Sequence, residues 1–173
     1  QTKIENKIYV FVTREYFENI SHNKNTKIKY IIKSNFLKNV FLRILWMQFF
    51  LPFELKYLKV QHLFSPMNIG PIVLKLFNIK FTLALHSNLP WIYFSKMPGN
   101  YLKNLLTKFL MEISVRICDR LIVNSEFAKN EIVKLLNIDE KKVFTIYLGI
   151  DQKFLDEKEN ELYLKNFEYK DYV

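Results

Sequence analysis

Short apolar, β-branched runs recur along this chain with helical stretches between them, and that alternation narrows its fold more than any other feature. "FTLALH" at 81–86 and "RLIVN" at 120–124 are apolar without strict alternation, as strands covered on both faces are. "VQHLFSP" at 60–66 and "KVFTIY" at 142–147 read the same way, and "KIYVFVT" at 7–13 and "KIKYIIK" at 27–33 add two earlier strands. Between them lie a surface loop or short helix at 14–27 and a helix from Asn35 to Phe50, which Pro52 ends. A further turn at 53–58 and a short helix at 71–77 opened by Pro71 follow. A long helix spans Tyr101 to about Cys118, and another runs from Glu126 to Leu136. Parallel strands need such crossovers, so the pattern predicts an α/β domain: a mainly parallel sheet covered by helices on both sides.

In open parallel sheets ligands sit beyond the carboxyl ends of the strands. Here those ends carry Ser65–Pro66, His86–Ser87–Asn88, Asn124–Ser125 and Leu148–Gly149, a polar and convergent set. His86 follows its strand directly, which suits a hydrogen bond to a sugar hydroxyl or phosphate; a histidine satisfied by a neighbouring carbonyl fits the same position. Ser125 stands where a strand passes into a helix. It reads as an N-cap, and capping leaves other first-turn N–H groups free for an anion.

Several chemistries are disfavoured. The three glycines, Gly70, Gly99 and Gly149, form neither a dinucleotide fingerprint nor a P-loop. His22, His62 and His86 lie far apart beside a lone cysteine, so no metal-ligand spacing exists. No Gly-x-Ser-x-Gly elbow supports Ser125 as a nucleophile.

With 173 residues the chain fits one domain with a substantial core. Cys118 alone excludes an intramolecular disulfide and suits a reducing cytoplasm. No apolar run approaches the roughly 18 residues of a spanning helix, and residues 1–7 do not resemble a signal peptide. The formal charge of +9, from 26 basic and 17 acidic residues, favours anionic partners, or else reflects a Lys-, Asn-, Ile- and Phe-rich composition throughout. The stretch "NFLKNVFLRILWMQFF" with its basic neighbours fits a helix lying in anionic lipid and also the commoner case, a core-facing helix with a wet basic edge. Trp46, Phe49 and Phe50, set among apolar neighbours, are expected in the core.

The segments "HLFSPMNIGP", "FTLALHSNLPW" and "CDRLIVNSEFAKNEIVKLLNIDEKKVFTIYLGID" in this order resemble the amino-terminal domain of retaining glycosyltransferases of family 4. The resemblance is strongest over 60–151. It implies a Rossmann-like three-layer domain forming one half of a GT-B fold. Residues 1–151 would be the acceptor-side domain, without its usual first strand. Residues 152–173 would be a linker toward a carboxy-terminal donor-binding domain, whose Glu-x7-Glu element does not occur here. Leu148 stands where the family's hinge has Asn, with Gly149 and Asp151 matching the rest of the hinge.

The implied function is sugar transfer from a nucleotide-sugar donor to a sugar or lipid-linked acceptor, with retention, no cofactor and no obligatory metal. His86 would touch the transferred sugar, with Ser65, Asn88, Ser125 and Lys129 as substrate contacts. This chain alone is expected to be inactive. The expected location is cytoplasmic, with peripheral attachment to the inner membrane face left open and no nucleic acid among its partners. The rival reading is a non-enzymatic basic α/β module docking on an anionic membrane or nucleic acid, which requires exposed aromatics interleaved with Lys and Arg.

Overall fold

Strand β4 (Lys80–Leu85) is buried from Phe81 to Leu85, so both of its faces are covered, as its unbroken apolar run requires. In the computed structural model, which describes residues 7–20 and 28–149, β4 lies inside a four-stranded, wholly parallel sheet. The order is β3 (His62–Ser65), β4, β5 (Arg120–Val123) and β6 (Val143–Thr145). Ser65 is in register with Leu83, Leu83 with Leu121, and Leu121 with Val143. The four strands expected from 60 onward thus form one sheet.

The two earlier strands, β1 (Ile8–Thr13) and β2 (Ile28–Lys33), pair in parallel with each other around α1 (Arg14–Ile20) as a separate two-stranded sheet. Side chains tie this pair to the rest. Phe11 meets Trp46 with ring centroids 5.8 Å apart, and Lys33 lies over both rings while pairing with Glu54.

The expected helix at 35–50 is divided. A 3₁₀ turn (Asn35–Lys38) precedes α2 (Val40–Phe49), because the Asn39 side chain accepts from the N–H groups of Phe41 and Leu42 and starts the helix there. Pro52 then sits in the first turn of α3 (Leu51–Tyr57), where a missing N–H costs nothing. The core-facing expectation for this region is corrected. No residue of α2 is fully buried, and Phe49 and Phe50 are 63% and 65% exposed, whereas Trp46 packs against the core. A helix apolar nearly all round gives periodicity no face to select.

A 3₁₀ turn (Leu74–Phe77) replaces most of the short helix expected at 71–77, and α4 (Leu89–Ile92) with a second such turn (Phe94–Lys96) occupies the segment that follows β4. Helix α5 (Tyr101–Ile117) buries Leu110, Met111, Ser114 and Val115, and α6 (Glu126–Leu136) buries Ile132 and Leu136. These close the core with Leu51 and Leu55 of α3. Lys142 donates to the carbonyls of Val115 and Arg116 at 2.7 and 2.9 Å, satisfying the carboxyl end of α5 with a cation.

The segment between β3 and the turn at Leu74 is fixed from two sides. Ser114 Oγ accepts the Gly70 N–H at 3.1 Å, while Gln48 donates to the Gly70 carbonyl and accepts from the Ile72 N–H. That clamp fixes the middle of the connection that leads from β3 back to the start of β4. Asp151, the linker at 152–173 and residues 21–27 of the first connection lie outside the described residues.

Candidate functional site

Where β4 and β5 end side by side, their following residues and the start of α6 enclose a cleft of about 190 Å³. It is lined by residues 85–88 after β4, residues 123–125 after β5, and Phe127 and Ala128 of α6. It opens at the carboxyl edge of the sheet, because parallel strands send all their exits to one side.

His86 is anchored to the loop after β3. Its backbone N–H donates to Asn68 Oδ1 at 2.8 Å, and its ring Nε2 lies 2.9 Å from the Pro66 carbonyl oxygen. A carbonyl only accepts, so Nε2 carries a proton, and in the Nε2–H tautomer Nδ1 is the acceptor left over. The histidine satisfied by a carbonyl is therefore what the structure shows for one nitrogen, while the other can still accept from a ligand hydroxyl.

Ser125 has extended backbone angles, and its Oγ accepts from the Ala128 N–H at 3.1 Å, so it caps α6 as the sequence predicts. The Glu126 and Phe127 N–H groups stay outside the helix's own ladder at the cleft wall. Asn88 donates through its side chain to Glu131 of α6, tying the loop after β4 to that helix. Ser87 accepts the Leu89 N–H and starts α4.

The other expected contacts are turned elsewhere. Ser65 is buried, and its hydroxyl faces the carbonyls of Ile69 and Met67 at 2.9 and 3.2 Å, bracing the loop rather than lining the cleft. Lys129 pairs with Glu140 at 3.0 Å, and that hydrogen bond raises its pKa above the ordinary lysine value. Gly149 is exposed beyond β6. Among the described residues no group of three or more His, Cys, Asp or Glu could hold a metal ion, and no helix is long and apolar enough to cross a membrane.

Asn124 lines the cleft, as its place in the strand-end set suggested; Phe127 and Ala128 line it too, and Glu131 holds Asn88, without having been singled out as contacts. Positions 127, 128 and 131 share one face of α6 by helical spacing, so that face was open to inspection. Asn68 sits in an irregular loop that gives no periodic signal. Thr145, in register with Val123, buries its hydroxyl without a hydrogen-bond partner.

The model of the family described as Glycosyltransferase Family 4 matches residues 7–154, spanning β1 to β6 and every residue of the cleft. The chain belongs to glycosyltransferase family 4. Within this family-4 domain, 83 residues, 47% of the chain, are 29% identical to the O-antigen chain mannosyltransferase RfbU of Salmonella typhimurium strain LT2. The match spans 22% of that protein's length. The Rossmann-like α/β fold expected of such a domain is the one observed, with all its sheet strands parallel.

Proposed function

We propose that this family-4 domain is the acceptor-side, amino-terminal half of a retaining glycosyltransferase of GT-B architecture, working at the cytoplasmic face of a membrane. The observation that carries this reading is the cleft at the ends of β4 and β5. There a fixed histidine with a free Nδ1, an Asn–Glu pair and a helix N-terminus converge. The donor is a nucleotide sugar, the acceptor a sugar or lipid-linked hydroxyl, and a second domain beyond the Gly149–Asp151 hinge grips the donor.

In the reaction the bond from the anomeric carbon to the diphosphate oxygen breaks, and its electron pair leaves with the nucleoside diphosphate. The acceptor oxygen forms the new bond on the same face, and its proton passes toward the leaving phosphate. This domain contributes position and electrostatics. His86 Nδ1 accepts from a hydroxyl of the transferred sugar, its orientation set by Pro66 and Asn68. The free N–H groups at the start of α6 favour negative charge nearby. Alone, without the donor-side contacts, the domain does not catalyse transfer.

The test is His86→Ala in the full-length enzyme. Turnover falls by more than tenfold, since about 1.4 kcal/mol lost in the transition state is one decade. The melting temperature stays near that of the parent, because His86 is exposed and outside the core. An unchanged rate with a lowered melting point makes the histidine structural and overturns the assignment.

A further inference from the structure

Phe127, in the first turn of α6, lines the cleft and is 70% exposed, while the same helix buries Ile132 and Leu136 further along. It takes no part in the core. Among the described residues no other aromatic ring and no cation packs on it. A large flat ring left uncovered beside a cavity gains stability when a ligand with an apolar face lies on it.

The remaining groups of the cleft define the class of that ligand. No Lys, Arg, Asp or Glu lines it. Ser87 and Ser125 each accept a backbone N–H, of Leu89 and Ala128, so both O–H groups remain donors. His86 Nδ1 remains an acceptor, because Nε2 is held at the Pro66 carbonyl. Neutral donors and acceptors thus surround one apolar face. A pyranose ring is the complement, with hydroxyls projecting from its rim and C–H groups forming its faces. The cleft of about 190 Å³ is smaller than the roughly 300–1,000 Å³ of pockets for drug-sized ligands, which suits one ring and not a whole nucleotide sugar.

We infer that Phe127 is the platform on which one face of a sugar ring lies in this cleft, with His86 at the ring's edge. The inference rests on the glycosyl-transfer reading and adds to it the residue that holds the ring. It fails separately, because sugar binding to the chain reads Phe127, whereas turnover of the His86→Ala enzyme reads the transfer.

The test is saturation-transfer NMR on the whole chain with the methyl glycosides of glucose, mannose, galactose and N-acetylglucosamine. Transfer to the ring C–H protons of at least one is expected, stronger on one face of the sugar than on the other. Phe127→Ala and Phe127→Leu weaken it about fivefold or more, whereas Phe127→Tyr keeps it, since only a flat ring offers the stacking face. The circular-dichroism melt of each variant stays with the parent's, because Phe127 is exposed and outside the core. If the alanine variant does not fold, the leucine variant decides. Transfer to none of the glycosides overturns the inference, and so does a signal undiminished in the folded alanine or leucine variant. Uridine, guanosine and adenosine are run in parallel. Transfer to a nucleoside that Phe127→Ala abolishes, with none to the glycosides, puts a base on the ring and also overturns it.

Discussion

Gly70 touches Phe81 so closely that a Cβ there would lie 2.0 Å from the ring's Cζ. Phe81 is itself 2% exposed at the start of the central strand, so its ring has nowhere to retreat. Gly70→Ala is therefore expected to destabilise by about 1–3 kcal/mol through overpacking, read as a lowered urea midpoint. Cys118 presents a second residue-scale consequence. Burial pushes its thiol from near 9 up to about 11, outweighing the pull of the Lys142 ammonium. The folded state holds that proton more tightly than the unfolded chain does. The resulting stabilisation, on the order of 2–3 kcal/mol, is complete below pH 9 and lost as pH rises through 11. Urea midpoints measured across that range should fall for the parent, and less for Cys118→Ala after normalising to neutral pH.

At the scale of elements, α6 separates structural from functional roles. Its start depends on Ser125 accepting the Ala128 N–H, so Ser125→Ala costs about 1 kcal/mol of stability. Aspartate caps as well as serine but adds a negative charge to the cleft. Ser125→Asp in the full-length enzyme should therefore keep its melting temperature and lose turnover; full activity would remove the anion-facing role of this helix start. The same helix was legible in the sequence, because a capping residue, an acidic first turn and an apolar face all lie within 12 residues. Helix α2 was not. Its periodicity cannot distinguish the face toward Phe11 and the core from the face toward solvent, since both are apolar.

For the whole molecule, the cleft is built from one domain's strand ends, and among the described residues none that lines it is an arginine or lysine. Lys129, the nearest expected cation, is committed to Glu140. The chain by itself is accordingly expected to bind a nucleotide sugar more weakly than micromolar, because each missing charged hydrogen bond is worth about 1.5–3 kcal/mol. Isothermal calorimetry checks this, and micromolar affinity would place the donor site within these residues.

The sequence by itself determined the strands, their parallel sense, the start of α6 and the edge at which the candidate cleft opens. Each follows from short-range pattern, since apolar run, crossover length and cap residue act through backbone groups only a few positions apart. Tertiary structure decided what the site's side chains touch. His86 finds Pro66 20 residues away, Asn88 finds Glu131 43 residues away, and Lys129 finds Glu140 rather than the cleft. It also decided which side of α2 faces outward. A polar or apolar side chain fixes only that it needs a partner or an escape from water, and packing of distant segments chooses which one it gets.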